Sequence, residues 1–135
     1  MDREALAQIT SRWISLWCAD PDRREFDALH AEEFVDHSSA CRGTTREAFW
    51  LGLEELVAAF PDLQAQVEDL VIDETAGRVA VRWSATGTNR VRFMGRGPTH
   101  EVVHMTGIEI IEIHDNRITD RWGEWDITDF LGAST

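Results

Sequence analysis

The hydrophobic pattern of this 135-residue sequence changes its period at Pro61. Before this proline, apolar residues recur three and four positions apart, as at Leu6, Ile9, Trp13 and Leu16, which indicates amphipathic helices. After it, apolar and polar residues alternate over long segments, which indicates β-strands. Helices followed by a run of strands predict an α+β fold in which the helices pack on one face of a curved sheet.

Three helices are predicted before the proline. The first covers residues 2–18, and the second begins with Asp20 as its N-cap and Pro21 in the first helical position and reaches about His30. The following EEFVDHSS is interpreted as a brief extended segment that leads into a loop. Residues 44–47, TTRE, match a capping box that opens the third helix, in which the threonine and the glutamate each satisfy a free backbone N–H.

Four strands are predicted after the proline, at residues 64–72, 78–88, 101–114 and 117–128. DETAG and HDNR are the turns within the first and last pairs, and the glycine-rich GTNRVRFMGRGPT connects the second strand to the third. A curved sheet packed on helices leaves a cone-like pocket for a small ligand. Because the third strand is apolar on both faces, its second face needs cover, and we expect a homodimer through the sheet.

Composition narrows the function and the compartment. The net charge is -12, with 25 acidic against 13 basic residues, which disfavours nucleic acid and anionic membrane surfaces as partners. The sequence has no apolar signal core and no run long enough to span a membrane. Cys18 and Cys41 lack a CxxC spacing and are expected to be buried, reduced thiols. We therefore expect one cytoplasmic domain over residues 1–135.

Three familiar catalytic motifs are excluded by their context. HEVVH at residues 100–104 matches the HExxH zinc motif, but that motif requires a helix. On the predicted strand, residues four apart are separated by roughly 13 Å, so no metal site is expected. The chain also lacks a GxSxG elbow and a glycine-rich phosphate loop between a strand and a helix. We therefore expect neither a metal site nor a nucleotide site.

Glu109 is the most informative single residue. It lies in TGIEIIEI, in the middle of a predicted strand and surrounded by isoleucines. A carboxylate there either faces an aqueous pocket or requires a charged partner. Loss of water would raise its pKa toward the range of a general acid or base. Both a catalytic carboxylate and a structural ion pair are open interpretations of this residue.

The partner of Glu109 depends on the hairpin at HDNR. A two-residue loop of Asp115 and Asn116 would pair Glu109 with Trp122, whereas a three-residue loop with a left-handed bulge residue would pair it with Arg121. We favour the second register because asparagine tolerates the left-handed conformation. One face would then carry Glu109, Arg121, Gly123 and Trp125, and the other Asp120, Trp122 and Glu124.

A family resemblance is carried by the order and spacing of six segments: FVDH, AFPDLQAQVEDL, RVAVRWSATGTN, FMGRGPT, VVHMTGIEIIEI and DNRITDRWGEWD. Through them, nearly the whole chain resembles the SnoaL-like polyketide cyclases. These belong to the superfamily of nuclear transport factor 2 and ketosteroid isomerase. The resemblance implies a cone-shaped α+β barrel, in which a curved antiparallel sheet wraps around N-terminal helices. It also implies a dimer without metal or cofactor, and intramolecular aldol chemistry in which an acid/base side chain takes the α-proton of a polyketide-like substrate.

The resemblance also assigns positions within the site. The key aspartate of the cyclases, on the last strand, matches Gly123, and their histidine on the preceding strand matches Glu109. The chain contains no tyrosine, which excludes an oxyanion site of the ketosteroid-isomerase type built on Tyr. Limonene epoxide hydrolases of the same superfamily use acids and an arginine on these strands, and the Glu109/Arg121 pair is loosely similar.

The sequence therefore predicts a catalytic pair, Glu109 as the acid/base and Arg121 as its partner or anion stabiliser. Asp120 is the alternative catalytic residue if the hairpin register differs by one. The expected pocket lining consists of His37, Trp125, Trp83, Met105 and Phe60. The alternatives to a cyclase-like enzyme are an epoxide-hydrolase-like enzyme, a non-catalytic module that binds a small apolar ligand, and a structural dimer in which Glu109 and Arg121 form a closed ion pair. The glycine at position 123 favours the non-catalytic module.

Overall fold

The structure, a computed structural model, describes residues 1–38 and 43–132. In chain order its elements are α1 (Arg3–Ile14), α2 (Arg23–Leu29), β1 (His30–Asp36), α3 (Arg46–Ala59), β2 (Gln64–Asp73), β3 (Arg78–Thr88), β4 (Val102–His114), β5 (Arg117–Asp126) and α4 (Thr128–Leu131). The three predicted helices and four predicted strands are confirmed. The strand β1 and the short helix α4 were not predicted as regular elements.

The strands form one sheet in the order β1-β5-β4-β3-β2. Strands β2 to β5 pair antiparallel in sequence, whereas β1 runs parallel to β5. The predicted α+β fold is confirmed, but the sheet is mixed rather than wholly antiparallel. It is also open rather than a closed barrel, because β1 and β2 are its two edges. A parallel partner at the far end of the chain leaves no turn signal beside β1, so local periodicity could not identify this strand.

The second helix begins two residues later than predicted. Its N-cap is Asp22, whose carboxylate accepts hydrogen bonds from the backbone N–H groups of Arg24 and Glu25. Asp20 instead adopts a left-handed conformation with φ of 56°. The segment ADPD offers an aspartate at both positions, and only the later one precedes residues in helical conformation.

The third helix does not contain the predicted capping box. Its N-cap is Thr45, which accepts from the backbone N–H of Ala48. Glu47 pairs with Arg23 of the neighbouring helix instead of returning to the cap. Since two consecutive threonines fit the N-cap position, a shift of one residue removes the spacing that a capping box requires.

An aromatic cluster under the sheet encloses His30, which is fully buried. Its ring lies within 6.5 Å, between centroids, of the rings of Trp13, Phe26, Phe34 and Phe49. Its Nε2 accepts from Trp13 Nε1 at 3.0 Å, and its Nδ1 donates to the carbonyl oxygen of Phe26 at 2.7 Å. These contacts suit the neutral imidazole, and burial lowers the pKa of His30 to about 4.

Strand β4 alternates strictly between the interior and the outer face of the sheet. Glu109 lies on the buried face together with Val103, Met105, Gly107, Ile111 and Ile113. On the outer face, Val102, Ile108 and Ile110 are 60%, 55% and 41% exposed.

The homodimer through this exposed apolar face stays a prediction. Sedimentation velocity would test it: we expect the mass of a dimer, and the mass of a monomer would contradict the prediction.

The hairpin between β4 and β5 differs from the favoured register. Asp115 and Asn116 both have positive φ, 52° and 64°, and form a two-residue loop rather than a three-residue one. Thr119 is then an extra residue on β5, because the register shifts between Glu112 and Ile113. Glu109 therefore pairs with Gly123, two residues from the predicted partner. A shift of two preserves the face of every side chain, so the predicted face assignment holds although the register was wrong.

No helix in residues 1–38 and 43–132 is long and apolar enough to cross a membrane.

Cys18 is partly exposed rather than buried as predicted, because it lies at the end of the turn that follows α1, where it forms an isolated bridge with Gln64. The prediction for Cys41 falls outside the described residues.

The burial of His30 predicts a pH dependence of stability. Its folded pKa of about 4 lies below the ordinary 6.5, so the unfolded chain binds the proton more readily. Stability is therefore fully present above pH 6.5 and is lost as the pH falls toward 4. We expect urea denaturation to give a free energy of unfolding roughly 2 kcal/mol lower at pH 5 than at pH 7. His30→Gln should remove most of this difference and the exposed His104→Gln should keep it; equal pH dependence in wild type and His30→Gln would contradict this role.

Candidate active site

Glu109 is buried at the centre of the inner face, with 3% of its surface exposed. Its Oε1 accepts from Arg121 Nε at 2.6 Å, and its Oε2 accepts from Trp83 Nε1 at 3.2 Å. Three adjacent strands, β3, β4 and β5, thus contribute one side chain each. The predicted pairing of Glu109 with Arg121 agrees with this geometry, and Trp83, predicted as a lining residue, contacts the same carboxylate.

Arg121 joins Glu109 to a second buried carboxylate. Its Nη1 donates to Asp36 Oδ1 at 2.9 Å, and Asp36 is completely buried at the end of β1. The guanidinium lies over the ring of Phe49, 5.0 Å from its centroid. The planar fork of arginine suits this arrangement, since different N–H groups reach carboxylates on either side. We call Asp36, Arg121 and Glu109 the acid–arginine–acid triad.

Two glycines provide the space that the triad occupies. A Cβ at Gly123 would lie 2.2 Å from Glu109 Oε1 and 2.6 Å from Arg121 Nη2. A Cβ at Gly107 would lie 2.4 Å from the ring of Trp83. No real Cβ approaches other atoms so closely, so a side chain at either position would displace a member of the site. Gly123 is therefore the residue that lets Glu109 and Arg121 meet across β4 and β5.

The electrostatics of the triad raise the pKa of Glu109 above its ordinary value of 4.5. Burial raises the pKa of Glu109, and the nearby Asp36 carboxylate adds to the rise, while Arg121 and Trp83 oppose it. Burial alone would lower the pKa of Arg121, but the two carboxylates outweigh this and raise it. With all three groups ionised, the triad carries one excess negative charge in the interior, which the uptake of one proton removes.

His37 and Asp120 lie apart from the triad. His37 is exposed; its Nε2 is 2.9 Å from Asp120 Oδ2, and its ring stacks on Trp122 with centroids 4.5 Å apart. Because side chains alternate along β5, Asp120 and Trp122 face away from Arg121. His37, predicted as a lining residue, therefore does not contact Glu109: it directly follows Asp36, the last residue of β1, and its side chain contacts Asp120 and Trp122 instead. The alternative site at Asp120 likewise faces away from Glu109.

The remaining predicted lining residues lie toward the α4 end of the inner face. Trp125 pairs with Gly107, shares the face of Glu109 and is 39% exposed. Its ring lies 6.5 Å from that of Phe93, which packs in turn on Phe60. Phe60 and Met105 are buried core residues. Of the predicted lining, Trp125 thus remains the residue accessible from outside.

Sequence reasoning missed Asp36. It missed Ser38 as well, whose Oγ accepts from the backbone N–H of Gly123 at 2.8 Å. The segment FVDH contained a signal that could have identified Asp36. If this segment is a strand, Phe34 and Asp36 lie on the same face of it. A carboxylate on the face of a buried aromatic side chain requires a cation as its partner. The segment was interpreted as leading into a loop, and the parallel partner that orients Asp36 lies at the other end of the chain.

Comparisons with known proteins agree with this architecture. The family model described as SnoaL-like polyketide cyclase matches residues 7–133. No curated protein sequence matches the chain.

Among solved structures, IdmH from Streptomyces antibioticus, a suggested polyketide cyclase, is 29% identical, with 93% of this chain and 95% of that chain covered and a TM-score of 0.78. AclR from Streptomyces galilaeus, a suggested hydroxylase, is 25% identical over 94% of this chain and 80% of that one, with a TM-score of 0.75. TsrD from Streptomyces laurentii is 19% identical, covers 99% of both chains with a TM-score of 0.85, and shares the fold.

The close approach at Gly123 predicts that even alanine is poorly tolerated there. In a strand, Gly→Ala normally stabilises by restricting the unfolded chain. Here the added methyl group must displace the Glu109–Arg121 pair, so we expect Gly123→Ala to lower the free energy of unfolding by about 1–3 kcal/mol in urea denaturation. The matched control is Glu124→Ala, at the next, exposed position of β5, with little expected effect. A Gly123→Ala protein as stable as the wild type would show that the pair is not confined as described.

Proposed function

Because the chain belongs to the SnoaL-like polyketide cyclase family, we propose that it is an enzyme that closes a ring in a polyketide-like ketone by intramolecular aldol chemistry. The observation that carries the proposal is the acid–arginine–acid triad, which buries a glutamate of raised pKa on the inner face of the sheet. Perturbed carboxylates next to a fixed cation are typical of proton-transfer sites.

Glu109 acts in this proposal as the general base and then as the general acid. Its ionised carboxylate takes a proton from the carbon next to a substrate carbonyl, and the electron pair of the broken C–H bond forms an enolate. The enolate carbon attacks a second carbonyl carbon of the same molecule, which closes the ring. The resulting alkoxide takes the proton back from Glu109, so the carboxylate is regenerated.

Arg121 orients the base and stabilises the anion. Its Nε holds Glu109 and its Nη1 holds Asp36, whereas its Nη2 makes no hydrogen bond within the described residues. The Arg121 side chain is 13% exposed, so it is not sealed off completely by the packing of the triad. A substrate oxygen that reached its Nη2 would accept a charge-assisted hydrogen bond as negative charge develops on it. Each oxygen of Glu109 keeps a second lone pair, so the carboxylate can still accept a proton.

Epoxide hydrolysis is a second candidate function, favoured by the presence of Asp36. A second acid on Arg121 allows one carboxylate to activate water while the other, protonated, donates to the epoxide oxygen. Water would attack the epoxide carbon as the C–O bond breaks, one water proton would pass to the ionised acid, and the proton of the other acid would go to the leaving oxygen. Glu109 is the natural proton donor, because its pKa is raised.

Two model reactions test the proposed roles without the natural substrate. Exchange of the α-protons of 1-tetralone in D2O, followed by proton NMR, reports proton abstraction, and conversion of styrene oxide to its diol reports epoxide opening. We expect the wild type to accelerate tetralone exchange and Glu109→Gln to lower this rate by roughly 10²-fold or more. The rate should rise with pH through an inflection above the ordinary glutamate value of 4.5, because the ionised form is the base.

The matched control is Asp120→Asn, which removes a carboxylate on the opposite face of the same strand and should leave exchange unchanged. Acceleration of styrene oxide opening alone would favour the hydrolase. Equal exchange by wild type and Glu109→Gln would contradict the proposed base. A protein that accelerates neither reaction would favour the non-catalytic binding module, whose supporting observation is that every buried polar side-chain atom in the described residues already has a partner.

A further inference from the structure

Charge is distributed unevenly along this acidic chain. Residues 75–100 contain no aspartate or glutamate but five arginines, although the protein as a whole has 25 acidic residues. Three of these arginines, Arg90, Arg92 and Arg96, lie in the connection between β3 and β4. They are exposed, and within the described residues none has a carboxylate oxygen within 4.0 Å. The connection is thus a local positive surface on a protein of net charge -12.

Asn89, which is fully buried, fixes the shape of this connection. Its side-chain oxygen accepts from the backbone N–H of Thr99 at 2.7 Å, and its Nδ2 donates to the carbonyl oxygens of Val91 at 2.8 Å and Ala59 at 3.3 Å. A Cβ at Gly97 would lie 2.3 Å from the Asn89 side-chain oxygen, so the backbone closes tightly on the amide. The arginines are therefore displayed by a connection with a defined conformation.

Within the connection, Phe93 and Arg96 form a tight hairpin. The N–H of each donates to the carbonyl oxygen of the other, at 2.8 and 3.0 Å, and the intervening Met94 and Gly95 have φ of 50° and 78°. Directly opposed residues of such a pair project their side chains to the same side. The Phe93 ring packs on Phe60, Phe130 and Trp125, with centroids 5.7, 6.2 and 6.5 Å away. By this rule we expect Arg96 to project to the side of the hairpin on which Phe93 and Trp125 lie.

Trp125 in turn connects this hairpin to the triad. It pairs with Gly107, whereas Glu109 pairs with Gly123, and both side chains lie on the inner face of the sheet. Two residues along a strand correspond to roughly 7 Å. Along the inner face, the Glu109 carboxylate is thus followed by the partly exposed Trp125 ring beside Phe93, and Arg96 is the exposed hairpin residue paired with Phe93.

We propose that Arg96 is an anion subsite and that the substrate carries a carboxylate at the end remote from its reacting carbon. The apolar body of such a molecule would lie against Trp125 and Phe93, while its carboxylate pairs with the Arg96 guanidinium. Arginine binds carboxylates with two parallel hydrogen bonds, and an adjacent aromatic ring reduces competition from water. A protein of net charge -12 repels anions at long range, so an anionic substrate requires such a local cation.

This inference rests on the proposed function in taking Glu109 as the reacting end, but its test measures binding alone. The probes are 2-naphthoate and its uncharged analogue methyl 2-naphthoate, with dissociation constants measured by isothermal titration calorimetry. We expect the wild type to bind the carboxylate at least roughly 10-fold more tightly than the ester. Arg96→Gln should reduce carboxylate affinity to that of the ester and leave the ester unchanged.

Two matched variants control for overall charge. Arg82→Gln removes an exposed arginine from the outer face of β3, and Arg92→Gln removes another exposed arginine of the same connection, outside the Phe93–Arg96 pair. Both variants should keep most of the preference for the carboxylate. Equal binding of the two probes by the wild type, no binding of either, or an equal loss in Arg92→Gln would overturn the assignment to Arg96. Glu109→Gln should retain the carboxylate preference. A protein that binds naphthoate through Arg96 but exchanges no tetralone protons would therefore refute the proposed catalysis and keep the subsite.

Discussion

Arg121 holds two buried carboxylates at once, Asp36 from β1 and Glu109 from β4, and the surrounding structure is arranged around that pairing. The parallel addition of β1 beside β5 brings Asp36 to the guanidinium. A glycine at position 123 leaves room for the pair across β4 and β5, and Phe49 of α3 lies against the guanidinium. Elements that are far apart in sequence thus meet at one side chain.

A triad of this kind is a poor source of stability. Removing charged groups from water costs several kcal/mol per ion, and apolar side chains of similar size often fill such positions with equal or greater stability. Breaking the triad by removing one partner would nevertheless be costly, because an uncompensated charge would remain buried. The location of the triad is nevertheless suited to chemistry. The carboxylate of Glu109, whose pKa is raised, lies on the inner face of the sheet beside Arg121, whose Nη2 makes no hydrogen bond within the described residues.

The sequence predicted the parts of this arrangement that are local. Glu109 was identifiable because a carboxylate among isoleucines requires an explanation. Arg121 could be placed on the same face as Glu109 because an error of two residues in the strand register does not change the face of a side chain. The two-residue hairpin loop and the bulge at Thr119 together shift the pairing of β4 with β5 by two residues from the predicted register. Because a shift of two leaves every side chain on the same face, the predicted faces were correct although the predicted pairing was wrong. Asp36 could not be predicted in the same way, since its orientation depends on a parallel strand contributed by the end of the chain. The outward position of His37 depends on the same pairing.

The central claim is that Asp36 and burial together raise the pKa of Glu109 while Arg121 holds it in place. The most direct test is a carbon-13 NMR titration of the Glu109 side-chain carboxyl, assigned by the signal that disappears in Glu109→Gln. We predict an inflection above the ordinary value of 4.5 in the wild type, and a lower inflection in Asp36→Asn, where the neighbouring negative charge is gone. An inflection at or below 4.5 in the wild type, or one unchanged by Asp36→Asn, would contradict the claim.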